Sequence, residues 1–239
     1  MPEIDIKRSL RCVSSAIGFA ALICLLTAAG YGQSRTDEIF NRAIDKQKAG
    51  DLKGAVAEYT KVIGLDPADY DAFNNRGLLK KRLDDEMGAI ADFSRAIAID
   101  PKRAEAWMNR GISYFRNGEI EKALSDYEKA IAAEPANASP YYNRATLRFA
   151  QREFRYAIAD LSRVIELRPK HSRAFANRAK SKFELGDING AIADISSAIE
   201  ISGGTAEFYL ERARFYRANK SQTLAAADEK LAASLVPKK

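Results

Sequence analysis

Residues 104–135 read AEAWMNRGISYFR, then NGE, then IEKALSDYEKAIAAEP. In the first segment Ala104, Trp107, Met108, Gly111, Ile112 and Phe115 recur at the spacing of one helical face. Ile120, Ala123, Leu124, Tyr127 and Ile131 do the same in the third. The Asn-Gly pair between them stops the first helix, and Pro135 cannot continue the second. The stretch therefore spells a helical hairpin closed by proline. One hairpin alone leaves an apolar face in water, so it must stack on others.

The others are present. Pro67, Pro101, Pro135, Pro169 and, after one gap, Pro237 fall on a single 34-residue lattice, with Gly203 at the missing site. Six units tile residues 36–239 without insertion. An alanine recurs at 55, 89, 123, 157, 191 and 225, and a small residue at Ala43, Gly77, Gly111, Ala145, Ala179 and Ala213. These two rows lie twelve positions apart, one on each helix, and let the two backbones approach closely. Ile39, Phe73, Trp107, Tyr141, Phe175 and Tyr209 fill the space toward the neighbour. Gly50, Gly118 and Gly186 sit where the first helix must stop.

Composition narrows the chemistry. Of 239 residues, 46% are apolar and 29% charged, an ordinary globular mixture. The single histidine, His171, leaves triads and metal sites almost nothing to draw on, so no catalytic residue, metal or cofactor is expected. A net charge of +6 without a basic run gives no reason to expect nucleic acid.

Both cysteines, Cys12 and Cys24, lie in an N-terminal stretch of separate character. Lys7, Arg8 and Arg11 precede an uncharged run whose densest part is Ala16 to Ala29, followed by Gly30. Residues 1–30 read as a secretory signal peptide, with an uncleaved membrane anchor as the alternative. The expected location is the periplasm or outside the cell, or the periplasmic face of an inner membrane to which this segment alone would tether the chain.

The repeat resembles the tetratricopeptide repeat family, with an aromatic at position four, small residues at eight and twenty-seven, alanine at twenty and proline at thirty-two. The resemblance implies an all-α, right-handed superhelical solenoid of five repeats at 36–69, 70–103, 104–137, 138–171 and 172–205. A degenerate sixth repeat at 206–239 would cap it with a polar face, since Gln222, Ala226 and Glu229 replace larger apolar residues there. The family is a scaffold whose concave groove holds an extended peptide or a helix of another protein. A non-catalytic interaction module of the cell envelope is thus expected, with a carbohydrate or polymer binder, or a self-associating scaffold forming a homodimer, as alternatives.

Two rows go beyond what the repeat needs to fold. Asn41, Asn75, Asn109, Asn143 and Asn177 occupy position six, which the resemblance turns toward the groove. An amide both donates and accepts, so such a row can pair with a ligand backbone or can brace a neighbouring helix. Arginine follows each asparagine, at 42, 76, 110, 144 and 178, and Arg212 continues the row. Each has an acid sixteen positions later, Glu58, Asp92, Asp126, Asp160, Asp194 and Asp228, so an ion pair within the hairpin is expected. Other groove positions implied by the resemblance carry a basic rim of Lys48, Lys81, Arg82 and Arg116, opposed by Asp37, Asp71 and Glu105. Met108, Phe115, Tyr142 and Phe149 are candidate apolar anchors. The carboxylate clamp of some family members is not matched, because only Asn75 fits its pattern.

Overall fold

A computed structural model describes residues 35–235, so the expected leader lies outside the described residues. These residues contain twelve helices and no strand, in two compact units. The first unit, which ends at Ile99, holds α1 (35–48), α2 (Leu52–Leu65), α3 (Tyr70–Arg82) and α4 (Glu86–Ile99). The second begins at Asp100 and holds α5 (Ala104–Arg116), α6 (Ile120–Ala133), α7 (Ala138–Ala150) and α8 (Phe154–Leu167). It continues through α9 (Ser172–Glu184), α10 (Ile188–Ser202), α11 (Ala206–Ala218) and α12 (Gln222–Leu235). Within each unit, consecutive helices pack in pairs and each pair packs on the next, the arrangement of an all-α repeat solenoid.

The small residues do what their spacing demands. Ala55, Ala89, Ala123, Ala157, Ala191 and Ala225 are all buried where the helices of a pair meet. Opposite them, in repeats two and three, a glycine faces an aromatic ring. A Cβ on Gly77 would stand 2.7 Å from the Phe93 ring, and one on Gly111 would stand 2.8 Å from the Tyr127 ring and 3.3 Å from the Ala123 carbonyl. Where the lattice carries alanine instead, at Ala145 and Ala179, the facing residue is the smaller Leu161 or Ile195. The first repeat combines Ala43 with Tyr59, whose ring turns an edge to Phe40 at 5.2 Å between centroids.

Helix stops follow one backbone geometry throughout. Gly50, Gly118 and Gly186 have φ of +82°, +78° and +84°. The same left-handed conformation occurs at the equivalent Asp84, Arg152 and Lys220, with φ of 62°, 63° and 59°. Side chains there cost conformational energy that glycine avoids. At the joints between repeats, the aromatic of position four holds the proline turn: Trp107 Nε1 donates to the Pro101 carbonyl at 2.9 Å and the Tyr141 hydroxyl to that of Pro135 at 3.3 Å.

The polar cap needs correction. Gln222 and Ala226 are exposed as expected, but Leu224, Leu231 and Leu235 are also about half exposed, so α12 carries an apolar flank opposite its polar one.

Three substitutions test this packing. Gly111→Ala should lower unfolding free energy by about 1–3 kcal/mol through overpacking, and Tyr127→Leu added to it should recover part of that loss by recreating the Ala145 and Leu161 pairing. Arg152→Gly should raise stability by roughly 0.5–1 kcal/mol by relieving the left-handed backbone. Urea melts of the three variants read both, and a neutral Gly111→Ala would show that the helices can separate without loss.

Candidate functional site

The arginine row is built into the hairpins. Asp92, Asp126, Asp160, Asp194 and Asp228 are nearly inaccessible to solvent, and each accepts two hydrogen bonds from the arginine sixteen residues earlier. For Arg110 the distances are 2.7 and 2.8 Å. The fork-to-fork geometry is the strongest that arginine and a carboxylate can form. Each guanidinium also lies near the aromatic of position four, as Arg110 does over Trp107 at 5.0 Å. In repeats two, five and six the remaining nitrogen reaches back one repeat: Arg76 to Thr60 at 3.0 Å, Arg178 to Ser162 at 3.0 Å and Arg212 to Ser196 at 3.1 Å.

A second cation joins most of these acids. Lys80, Arg148 and Lys182 approach Asp92, Asp160 and Asp194 at 2.8–2.9 Å. In repeats three and six that position is Tyr114 or Tyr216, whose ring lies near the arginine instead. Burial opposes the charge of Arg110, but the bonds to Asp126 outweigh it and hold the guanidinium pKa above its ordinary value. The first repeat is looser: Arg42 is half exposed and reaches Glu58 only at 3.5 Å. A hydrogen bond from Lys61 holds Glu58 below the usual carboxylate value against its burial.

The asparagine row is not uniform. Asn41 is exposed, while Asn109 is buried. Asn75 is half-buried and bonds the hydroxyl of Tyr59, whose pKa burial nonetheless raises. Asn143 and Asn177, both half-buried, are placed differently: they line a run of adjoining cavities in the second unit.

Those cavities define the candidate groove. One of ≈ 330 Å³ is lined by Ile112, Phe115, Arg116, Tyr142, Asn143, Thr146 and Asn177. A second, of ≈ 170 Å³, is lined by Ala145, Thr146, Phe149, Leu161, Asn177 and Lys180. A third, of ≈ 330 Å³, brings Tyr142 and Asn177 together with Arg173, Glu207 and Phe208. Asn177 donates to the Tyr142 hydroxyl at 3.0 Å, and the Tyr142 ring rests on His171 at 5.1 Å. Of the expected site residues, Phe115, Arg116, Tyr142, Asn143, Phe149 and Asn177 thus share one surface. Met108 is half-buried on α5 and lines none of these cavities.

Lys48, Lys81 and Arg82 belong to the first unit, where Lys48 and Arg82 are exposed and Lys81 is half-buried. His171, the single histidine of the chain, has a defined task. Its Nδ1 accepts the Ala174 amide at 3.2 Å and so caps α9, a role that requires this nitrogen to carry no proton. Thr146, Lys180 and Arg173 were not singled out from sequence, although their spacing on helix faces shared with Tyr142 and Asn177 placed them within reach. Among the described residues no cluster of three or more His, Cys, Asp or Glu could hold a metal ion, and no helix is long and apolar enough to cross a membrane.

The chain belongs to the tetratricopeptide repeat family. Models described as tetratricopeptide repeat match residues 104–137 and 142–204, and one described as TPR repeat matches 87–118. Solved structures of similar fold include Pseudomonas aeruginosa PilF, at TM-score 0.73 and 15% identity over 87% of this chain and 95% of that one. PilW, described as a widely conserved type IV pilus biogenesis factor, gives TM-score 0.71 and 21% identity over 82% and 91%. YrrB, described as a TPR protein with an unusual peptide-binding site, gives 0.65 and 20% over 75% and 93%. Among curated protein sequences there is no match.

The ion pairs are tested by a double-mutant cycle. The side chains of Arg110 and Asp126 are only 16% and 5% exposed, so Arg110→Ala should destabilise by about 3–5 kcal/mol, the cost of stranding a buried charge. Asp126→Ala added to it should cost much less than it does alone. Strict additivity in chemical unfolding would show that the two residues do not interact.

Proposed function

We propose that the chain is a non-catalytic scaffold of the cell envelope that binds a segment of another protein along the groove of α5, α7, α9 and α11. Membership of the tetratricopeptide repeat family supports a protein-interaction role in general. The observation that carries the finer reading is the division of labour between adjacent rows. The arginines of repeats two to six are taken up by buried aspartates, whereas Asn143 and Asn177 turn to a lined groove. Their amides can pair with an extended backbone irrespective of its side chains, and Phe115, Tyr142 and Phe149 supply surface for side chains. Export rests on the reading of residues 1–30, and the likeness to PilF and PilW agrees with an envelope setting.

The test compares variants on one set of peptides selected from a random displayed library against the full chain. Asn143→Ala with Asn177→Ala should weaken binding by about 1–3 kcal/mol, because backbone groups of the ligand lose their partners at a dehydrated surface. The melting temperature should fall only slightly, through the bond that Asn177 gives up to the half-buried Tyr142. Asn75→Ala, which removes a bond to buried Tyr59, should do the opposite. Unchanged affinity in the double variant would remove the groove reading's main support.

A further inference from the structure

The cavity lined by Ala145, Thr146, Phe149, Leu161, Asn177 and Lys180 has a size that selects its guest. Its ≈ 170 Å³ slightly exceeds the ~150 Å³ of an apolar protein cavity known to accept benzene. One aromatic or branched aliphatic side chain fills such a space, and an alanine leaves most of it empty. The cavity is partly open rather than a closed void, and Thr146 and Asn177 line both it and its larger neighbour, so the two lie side by side along the groove.

Charge around it is one-sided. Four cationic side chains, Arg116, Arg168, Arg173 and Lys180, line this cavity and those adjoining it, against one carboxylate, Glu207. Arg173 is exposed and, among the described residues, makes no ion pair. It lies one turn before Asn177 on α9, and Lys180 follows Asn177 by three residues. Lys180 meets Glu207 and Glu211 only at 3.6 and 3.9 Å, long enough for a ligand carboxylate to compete. Cavities extend on both sides of this point, from Ile112 on α5 to Phe208 on α11, which suits a segment interior to its chain.

On the reading that this groove binds protein, we infer that its ligand is an internal segment with one aromatic or branched aliphatic anchor in the Ala145, Phe149 and Leu161 pocket. An aspartate or glutamate within a few residues of that anchor faces Arg173 and Lys180. The anchor supplies affinity through buried apolar surface, and the acid sets register and rejects basic segments.

The probes are hexapeptides capped at both ends, so that no terminal carboxylate is present. They have an alanine-glycine background with Phe, Leu or Ala as the variable anchor, and Asp, Asn or Lys one to three residues away. Calorimetry on the full chain should show Phe and Leu peptides binding roughly tenfold or more tighter than Ala peptides, the effect of burying one such side chain. Asp should be preferred over Asn and Lys least tolerated. The methyl resonances of Ala145, Thr146 and Leu161 should shift with the Phe and Leu peptides alone. Thr146 is exposed, so Thr146→Trp should keep the melting temperature while cancelling the advantage of Phe and Leu, and Arg173→Ala should cancel that of Asp over Asn. Equal affinity for Phe and Ala peptides, or a preference for Lys, overturns the inference while the groove reading stands if Asn143 and Asn177 still matter. Silence of every peptide and every methyl overturns both.

Discussion

A guanidinium clasped by a buried carboxylate sits at the centre of every hairpin from the second to the sixth. Removing two charges from water is costly, and an apolar pair of the same volume would often be as stable. What the charged pair adds is geometry. Two parallel hydrogen bonds fix the angle between the two helices, the aromatic of position four covers one face of the guanidinium, and in repeats two, five and six the remaining nitrogen bonds a hydroxyl of the preceding repeat. One side chain therefore registers helix to helix and repeat to repeat. The close approach that makes this possible comes from the alanine and glycine rows, since a bulkier residue at Gly111 would meet the Tyr127 ring.

That arrangement shapes the functional surface by subtraction. Position seven points into the hairpin and is consumed, and position six, one residue earlier, points elsewhere. In repeats four and five it points to the cavities between Ile112 and Phe208, and there Asn177 holds the Tyr142 hydroxyl while His171 supports the Tyr142 ring. The groove wall is thus held by the same helix, α9, that His171 caps, so the ordering of the joint and of the wall are linked.

Much of this was legible in the residues. Six units in phase on one proline lattice leave little besides a helical repeat, and an acid at a constant distance from each arginine foretells the ion pairs. Less legible was anything that depends on a neighbour outside the repeat. Asparagine at position six reads alike five times, yet Asn75 bonds Tyr59 of the preceding repeat while Asn143 and Asn177 line cavities. The left-handed stops at Asp84, Arg152 and Lys220 carry no glycine to announce them. The capping role of His171 depends on the fold of the joint, and the half-exposed Leu224, Leu231 and Leu235 sit on the flank of α12 opposite to the polar positions that suggested a cap.

The central claim is that the arginine row holds the solenoid and leaves the adjacent asparagines to meet the ligand. Both groups carry nitrogen-bound protons with their own resonances, so one nitrogen-proton NMR titration of the full chain with a bound peptide observes them together. The account predicts that the side-chain amides of Asn143 and Asn177 shift on binding while the Nε protons of Arg110, Arg144, Arg178 and Arg212 stay in place. Shifts of the arginine Nε protons with the asparagine amides unmoved would contradict it, and would make the arginines the groups that meet the ligand.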